Sequence, residues 1–278
     1  MKRLLVLLAA LCLAAVPAPA HAERARMSAQ DAYDLGLRYL KRGYYQKALE
    51  QFNRVRTYYR DDPYALKADL AIADVHYKRN EWEAARLGYE DFMRAHPRYR
   101  ELDFVVYRYG STMFKQAPAV AARDQTWTRQ ALHAWTGFGS RFPDSTYAPE
   151  VDGDLGKARE RMARKELLVA RFYDRRGAWV SVGGRVDGIL RDYPASPSRH
   201  EALGLGGVAW AHLGELDKAR SAMATLDQEA PDSPAARRLR RELRLAEGDP
   251  REAPPVTPSG GASAPSVPSA PVPTSQPR

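Results

Sequence analysis

Residues 29–63 read AQDAYDLGLRYLKRGYYQKALEQFNRVRTYYRDDP, and this stretch decides the fold. Leu35, Gly36 and Tyr39 share one side of a 3.6-residue period, as do Ala48, Phe52 and Val55; a strand would alternate instead. The pattern predicts two antiparallel helices around a turn at Gly43. Gly36 and Ala48 are small where the helices must approach, and Tyr39 and Phe52 fill the space beside them. Ser28 followed by Asp31 predicts a capping box at the start. Asp62 predicts the cap of the next helix, with Pro63 in its first turn, where a missing N–H costs nothing.

Imperfect copies of this hairpin follow. The small residue of the first helix recurs as Gly36, Ala73, Gly110, Ala170 and Gly207, spaced 37, 37, 60 and 37 residues apart. The matching position of the second helix is Ala48, Ala85, Ala131, Val182 and Ala219. Four second helices end at a proline twelve residues on, Pro97, Pro143, Pro194 and Pro231, and the phrases FPDS, YPAS and APDS recur there. Small, small, then proline over about 34 residues resembles the tetratricopeptide repeat. The expected fold is all-α: a tetratricopeptide-repeat superhelix, or α-solenoid, of five helical hairpins plus a C-terminal capping helix. Each hairpin buries its faces only against its neighbours, leaving a concave groove.

The period breaks twice. Residues 115–126, KQAPAVAARDQT, predict a loop with Asp124 capping the helix after it. Between Pro149 and Arg171 the chain reads as continuous helix. These breaks predict repeats 1–3 over residues 28–147, and repeats 4–5 with the capping helix over 148–247. Residues 1–22 read as a signal peptide for Sec export: Lys2 and Arg3, an apolar run from Leu4 to Val16, and an A-x-A site at Ala20-His21-Ala22. Residues 248–278, rich in Pro, Ser and Ala, read as a disordered tail. Cys12 is the single cysteine and lies inside the leader, so thiol chemistry is not expected. Leu11 precedes it where a lipobox needs a small residue, so lipidation at Cys12 is not expected.

The net charge is +9, but the arginines are interleaved with Asp and Glu along helices, the pattern of solvated faces. No nucleic-acid partner is expected. His76, His96, His133, His200 and His212 stand apart from one another, without metal-ligand spacing. Gly204-Leu205-Gly206 with Ala209 fits a loose dinucleotide pattern, yet it falls on a helix where a strand should precede. It reads as close helix packing. No nucleophile elbow or other catalytic constellation is present, so an enzyme is not expected, and neither is a cofactor. A repeat scaffold without such a site points to binding.

First-helix positions predicted to face away from the partner helix give Leu40, Tyr77 and Phe114, and the next position gives Lys41, Lys78 and Lys115. Tyr33 and Tyr107 extend this face by one turn. An apolar row beside a lysine row suits an extended peptide with apolar side chains and a carboxylate. Drift from a common ancestor and the preference of Lys for helix ends explain the same pattern without a ligand.

Residues 175–194, RRGAWVSVGGRVDGILRDYP, resemble the fourth repeat of the BamD (ComL/YfiO) family. YKRN at 77–80, DFVVYRYG at 103–110, RDQT at 123–126 and FYDRRGAW at 172–179 agree with it. The resemblance implies a periplasmic subunit at the inner face of the outer membrane. Such a subunit belongs to the machine that folds β-barrels into that membrane, beside the other barrel-assembly subunits. It implies C-terminal repeats that hold the periplasmic domains of BamA, with Arg185 as the expected charge partner, Arg191 a weaker one, and Trp179 read mainly as core. It implies N-terminal repeats that receive C-terminal segments of unfolded outer-membrane proteins. The sequence departs from the family in its lipobox, in Gly183 and Gly184 inside a helix, and in the long tail. A periplasmic repeat scaffold for peptidoglycan, division or polysaccharide-export complexes stays open on the residues alone.

Overall fold

Ser28 starts the first helix as its spacing requires: its hydroxyl accepts from the Asp31 N–H, and the Asp31 carboxylate reaches back to the Ser28 N–H. The computed structural model describes residues 27–248. The leader over 1–22, Cys12 and the tail beyond 248 lie outside the described residues.

Among the described residues the chain forms twelve helices and no strand. Hairpin 1 is α1 (Ala29–Lys41) with α2 (Tyr45–Tyr58), and hairpin 2 is α3 (Pro63–Lys78) with α4 (Trp82–Ala95). Hairpin 3 is α5 (Leu102–Gln116) with α6 (Thr126–Trp135), continued by the short α7 (Phe138–Arg141). Hairpin 4 is α8 (Ala148–Asp174) with α9 (Trp179–Asp192). Hairpin 5 is α10 (Arg199–His212) with α11 (Leu216–Glu229), and α12 (Pro234–Ala246) closes the stack. Successive helices pack on one another, and the first helices also meet across hairpins: α1 with α3, α8 with α10, and α10 with α12.

All ten marker positions are buried. A Cβ on Gly36 would stand 2.5 Å from the Phe52 ring, and one on Gly110 would stand 2.3 Å from Trp135 Nε1. The helices therefore close to a distance that only glycine permits there. Four hairpins turn through one left-handed residue at an equivalent position: Gly43, Asn80, Gly177 and Gly214. Asp62 accepts from the Tyr64 N–H with Pro63 in the first turn. The glycines of α10 are packing glycines. Gly204 faces Ala235, Gly206 faces Val186 and Gly207 faces Leu239, each closer to an added Cβ than a normal contact. That helix is buried on every side from Ala202 to Ala211, as an element clasped between α9, α11 and α12 must be.

Two expectations need correction. Asp124 does not cap α6; the N-cap is Gln125, without a side-chain capping bond. Gln125 is instead fully buried and ties down the loop, donating to the carbonyls of Pro118 and Val120 at 3.2 and 3.0 Å while accepting from the Thr128 hydroxyl at 2.6 Å. The second helix of hairpin 3 also breaks at Gly137 (φ 73°), so α6 and α7 replace one continuous helix. The apolar core forms three blocks, and α8 joins two of them: Val151 and Leu155 belong to the middle block, Ala163 and Leu167 to the last.

Candidate functional site

Between hairpins 2 and 3, aromatic rings surround a polar centre. The Arg108 guanidinium on α5 lies 4.4 Å from the Tyr77 ring, 5.2 Å from Phe104 and 5.5 Å from Tyr107. Tyr107 stacks on Tyr147 at 5.4 Å and 15°. Tyr89 donates to Asp74 Oδ1 at 2.6 Å. Burial pushes the Asp74 carboxyl up, against the Tyr89 hydrogen bond and the charges of Arg108 and Lys78. Burial works against the charged form of Arg108 too, and Tyr77, Tyr89 and Asp74 outweigh it. Tyr33 packs between Phe52 and Tyr64 at 5.5 and 5.4 Å. Its hydroxyl is pushed up to about 12 by burial, then by Tyr99, Asp74, Asp34 and Glu101, so it shares the field of the same cluster.

The predicted apolar positions of the groove thus fall into three settings. Tyr77 and Tyr107 meet the Arg108 guanidinium, and Tyr33 lies nearby between Phe52 and Tyr64, within the field of Asp74. Leu40 is half-buried against the first core block. Phe114 lies between Trp135, 5.9 Å away edge-on, and the Arg161 guanidinium at 4.4 Å. Tyr77 and Phe114 do not leave their partner helices free as predicted: Tyr77 meets Trp82 at 5.3 Å, and Phe114 meets Trp135. Lys41, Lys78 and Lys115 are exposed in the last turns of α1, α3 and α5, and Lys115 Nζ stands 5.5 Å from the Trp82 ring.

In hairpin 4, Arg185 donates to Glu166 on α8 at 2.8 Å while its side chain stays 46% exposed. Arg191 is exposed and held by its neighbour Asp192 at 2.8 and 3.1 Å. Trp179 packs on the last core block and stacks on His212 at 4.1 Å and 5°. The two unusual glycines separate in role. Gly183 faces Trp210, 3.2 Å from an added Cβ, whereas Gly184 and Gly188 face open space beside the 75%-exposed Val180. The outer stripe of α9 is therefore low in profile.

The sequence pattern did not mark Asp74, Tyr89, Arg108 or Glu160. Arg108 lay within a quoted phrase, but nothing in one dimension distinguishes it from the other arginines. Glu160 on α8 accepts from the Ser196 and Ser198 hydroxyls at 2.5 and 2.8 Å and from the Ser198 N–H at 3.1 Å, clamping the link between α9 and α10. Burial alone would raise its carboxyl; the serine hydrogen bonds and Arg164 outweigh it and hold it below the ordinary 4.5. A depressed carboxyl stabilises the fold above its unfolded value and loses that contribution as pH falls through the folded value. Glu160→Gln is expected to cost about 1–3 kcal/mol near neutrality. Urea midpoints of the two proteins should converge as the pH drops below the ordinary glutamate range. A gap unchanged on acidification would refute this clamp.

The profile of the family described as "Outer membrane lipoprotein" (YfiO) matches residues 25–226. The chain is 29% identical over 217 residues to the outer membrane protein assembly factor BamD of Xylella fastidiosa, covering 75% of this chain and 74% of that protein. It is 27% identical over 207 residues to the BamD of Pasteurella multocida, covering 71% and 80%. It is 26% identical over 199 residues to that of Neisseria meningitidis serogroup A, covering 68% and 74%.

Proposed function

The chain belongs to the YfiO family of outer membrane lipoproteins, and from that premise we propose that it is a non-catalytic subunit of the machine assembling β-barrel proteins into the outer membrane. The observation that carries this reading is the reach of the family match. It runs from ahead of α1 into α11 and so takes in all five hairpins. Three relatives that match over most of the chain carry the name of outer membrane protein assembly factor.

The division of labour follows the two surfaces. Repeats 1–3 receive the apolar C-terminal segment of an unfolded barrel protein along Tyr33, Leu40, Tyr77, Tyr107 and Phe114, with Lys41, Lys78 and Lys115 at its edge. Preformed rings, already packed against one another, lose little side-chain freedom on binding. Repeats 4 and 5 dock on BamA through Arg185, with Arg191 and the low stripe of α9 beside it. Trp179 supports this surface from the core. No helix among the described residues is long and apolar enough to cross a membrane. The chain works on the periplasmic side, at the inner face of the outer membrane.

Affinity capture of the full chain from solubilised envelopes tests this. BamA and other barrel-assembly subunits are the expected companions. Recovery of division, peptidoglycan or polysaccharide-export proteins in their place would overturn the function and leave the fold intact.

A further inference from the structure

A cavity of about 850 Å³ opens between the loop after α5, helix α8 and the link into α10. Its charged lining is Lys157, Arg161, Arg164 and Arg171 against Glu160 and Glu201. Most of these charges are matched. Lys157 holds Asp154 at 2.9 Å, Arg164 holds Glu160 at 2.8 Å, and Arg171 holds Glu201 at 2.5 Å.

Arg161 is the exception. Its guanidinium lies over Phe114 and makes one long hydrogen bond, 3.4 Å, to the Ala117 carbonyl. Among the described residues no carboxylate lies within ion-pair distance of it. Burial lowers its pKa and nothing acidic offsets this. A half-buried cation without a counter-charge gains from any anion that reaches it. The neighbouring walls are apolar and open: Val120 is 58% exposed and Leu168 is 40% exposed. Arg161 lines the cavity and also touches Phe114, the last apolar position of the predicted groove, at 4.4 Å.

We propose that this cavity receives the free carboxyl terminus of an apolar peptide, with Arg161 as the anion partner and Val120 and Leu168 against the last side chain. One unmatched cation between apolar walls suits one negative charge beside one apolar side chain, which is what a chain end offers. The assignment rests on the client-binding reading above and moves the carboxylate from the lysine row to Arg161.

The probe is a ten-residue peptide of alternating apolar and polar residues ending in Phe, made as free acid and as amide. Its binding to the full chain is followed by fluorescence anisotropy. The wild-type protein should bind the acid at least about tenfold more tightly than the amide. That contrast should shrink to within about twofold in Arg161→Gln and persist when Lys41, Lys78 and Lys115 are all changed to Ala. Arg161→Lys keeps the charge without the fork and should retain part of the contrast, which separates loss of the anion site from misfolding. Equal binding of acid and amide by wild type overturns the proposal, as does a contrast that survives Arg161→Gln. Loss of the contrast in the lysine variant places the carboxylate at the helix ends instead. Equal binding of an amidated peptide carrying an internal Glu moves the occupant to an acidic side chain and overturns the chain-end assignment. Failure of acid and amide alike to bind wild type removes the client reading itself.

Discussion

Trp135→Ala is expected to be the most destabilising single change in hairpin 3, at about 3–5 kcal/mol. The side chain is fully buried, donates to the Tyr107 carbonyl at 3.3 Å, and occupies the space that Gly110 leaves open. Alanine removes the ring and leaves a cavity that α5 and α6 cannot close, because each is also packed on another neighbour. The loss reaches the candidate groove as well, since Trp135 backs Phe114 and its indole N–H anchors the α5 backbone at Tyr107. Trp135→Phe keeps most of the volume and loses the donor, so it should cost clearly less. Urea unfolding followed by circular dichroism reads both. A loss below about 1 kcal/mol for the alanine variant would mean that hairpin 3 relaxes around the gap, and that the close approach at Gly110 is not a structural constraint.

Arg185→Glu should reduce capture of BamA tenfold or more while leaving the helical circular dichroism unchanged. Within the chain the substitution sets two carboxylates against each other, at 185 and 166. Both positions are partly solvated, so the cost to folding is at most about 1 kcal/mol. Across an interface the same reversal opposes a charge where one is needed, and water is excluded there. The exchange Arg185→Glu with Glu166→Arg separates the two roles, because it restores the internal ion pair and leaves the outward charge reversed. Capture should remain weak in the exchanged protein. Recovery of capture would show that Arg185 acts only by bracing α8 against α9.

The fold was largely legible because its signals are local. Each hairpin is set by residues within a few turns of one another: a cap at Ser28 or Asp62, a left-handed turn near Gly43, a small residue where helices cross, and a proline after the second helix. The recurring serines of FPDS, YPAS and APDS were visible, but their purposes were not. Ser145 donates to Asp103 at 2.6 Å, Ser196 to Glu160 at 2.5 Å, and Ser233 caps α12. One short phrase serves three functions, because its acceptor comes from whichever part of the chain lies opposite. Asp124 was misread for a related reason. Capping propensity is local, and it lost to the tertiary demand for a buried Gln125 holding the loop.

The sequence alone determined an all-α stack of five hairpins, with its turns and its close crossings, since these follow from spacing and residue size. Its resemblance to one family indicated a role in outer-membrane protein assembly. Only the tertiary structure decided which charges are spent on one another and which are left for a partner. Arg171 has Glu201, Arg185 has Glu166, and Arg161 has no carboxylate within ion-pair distance among the described residues. Charge pairing depends on distances between side chains from separate helices, and a one-dimensional pattern carries no record of them.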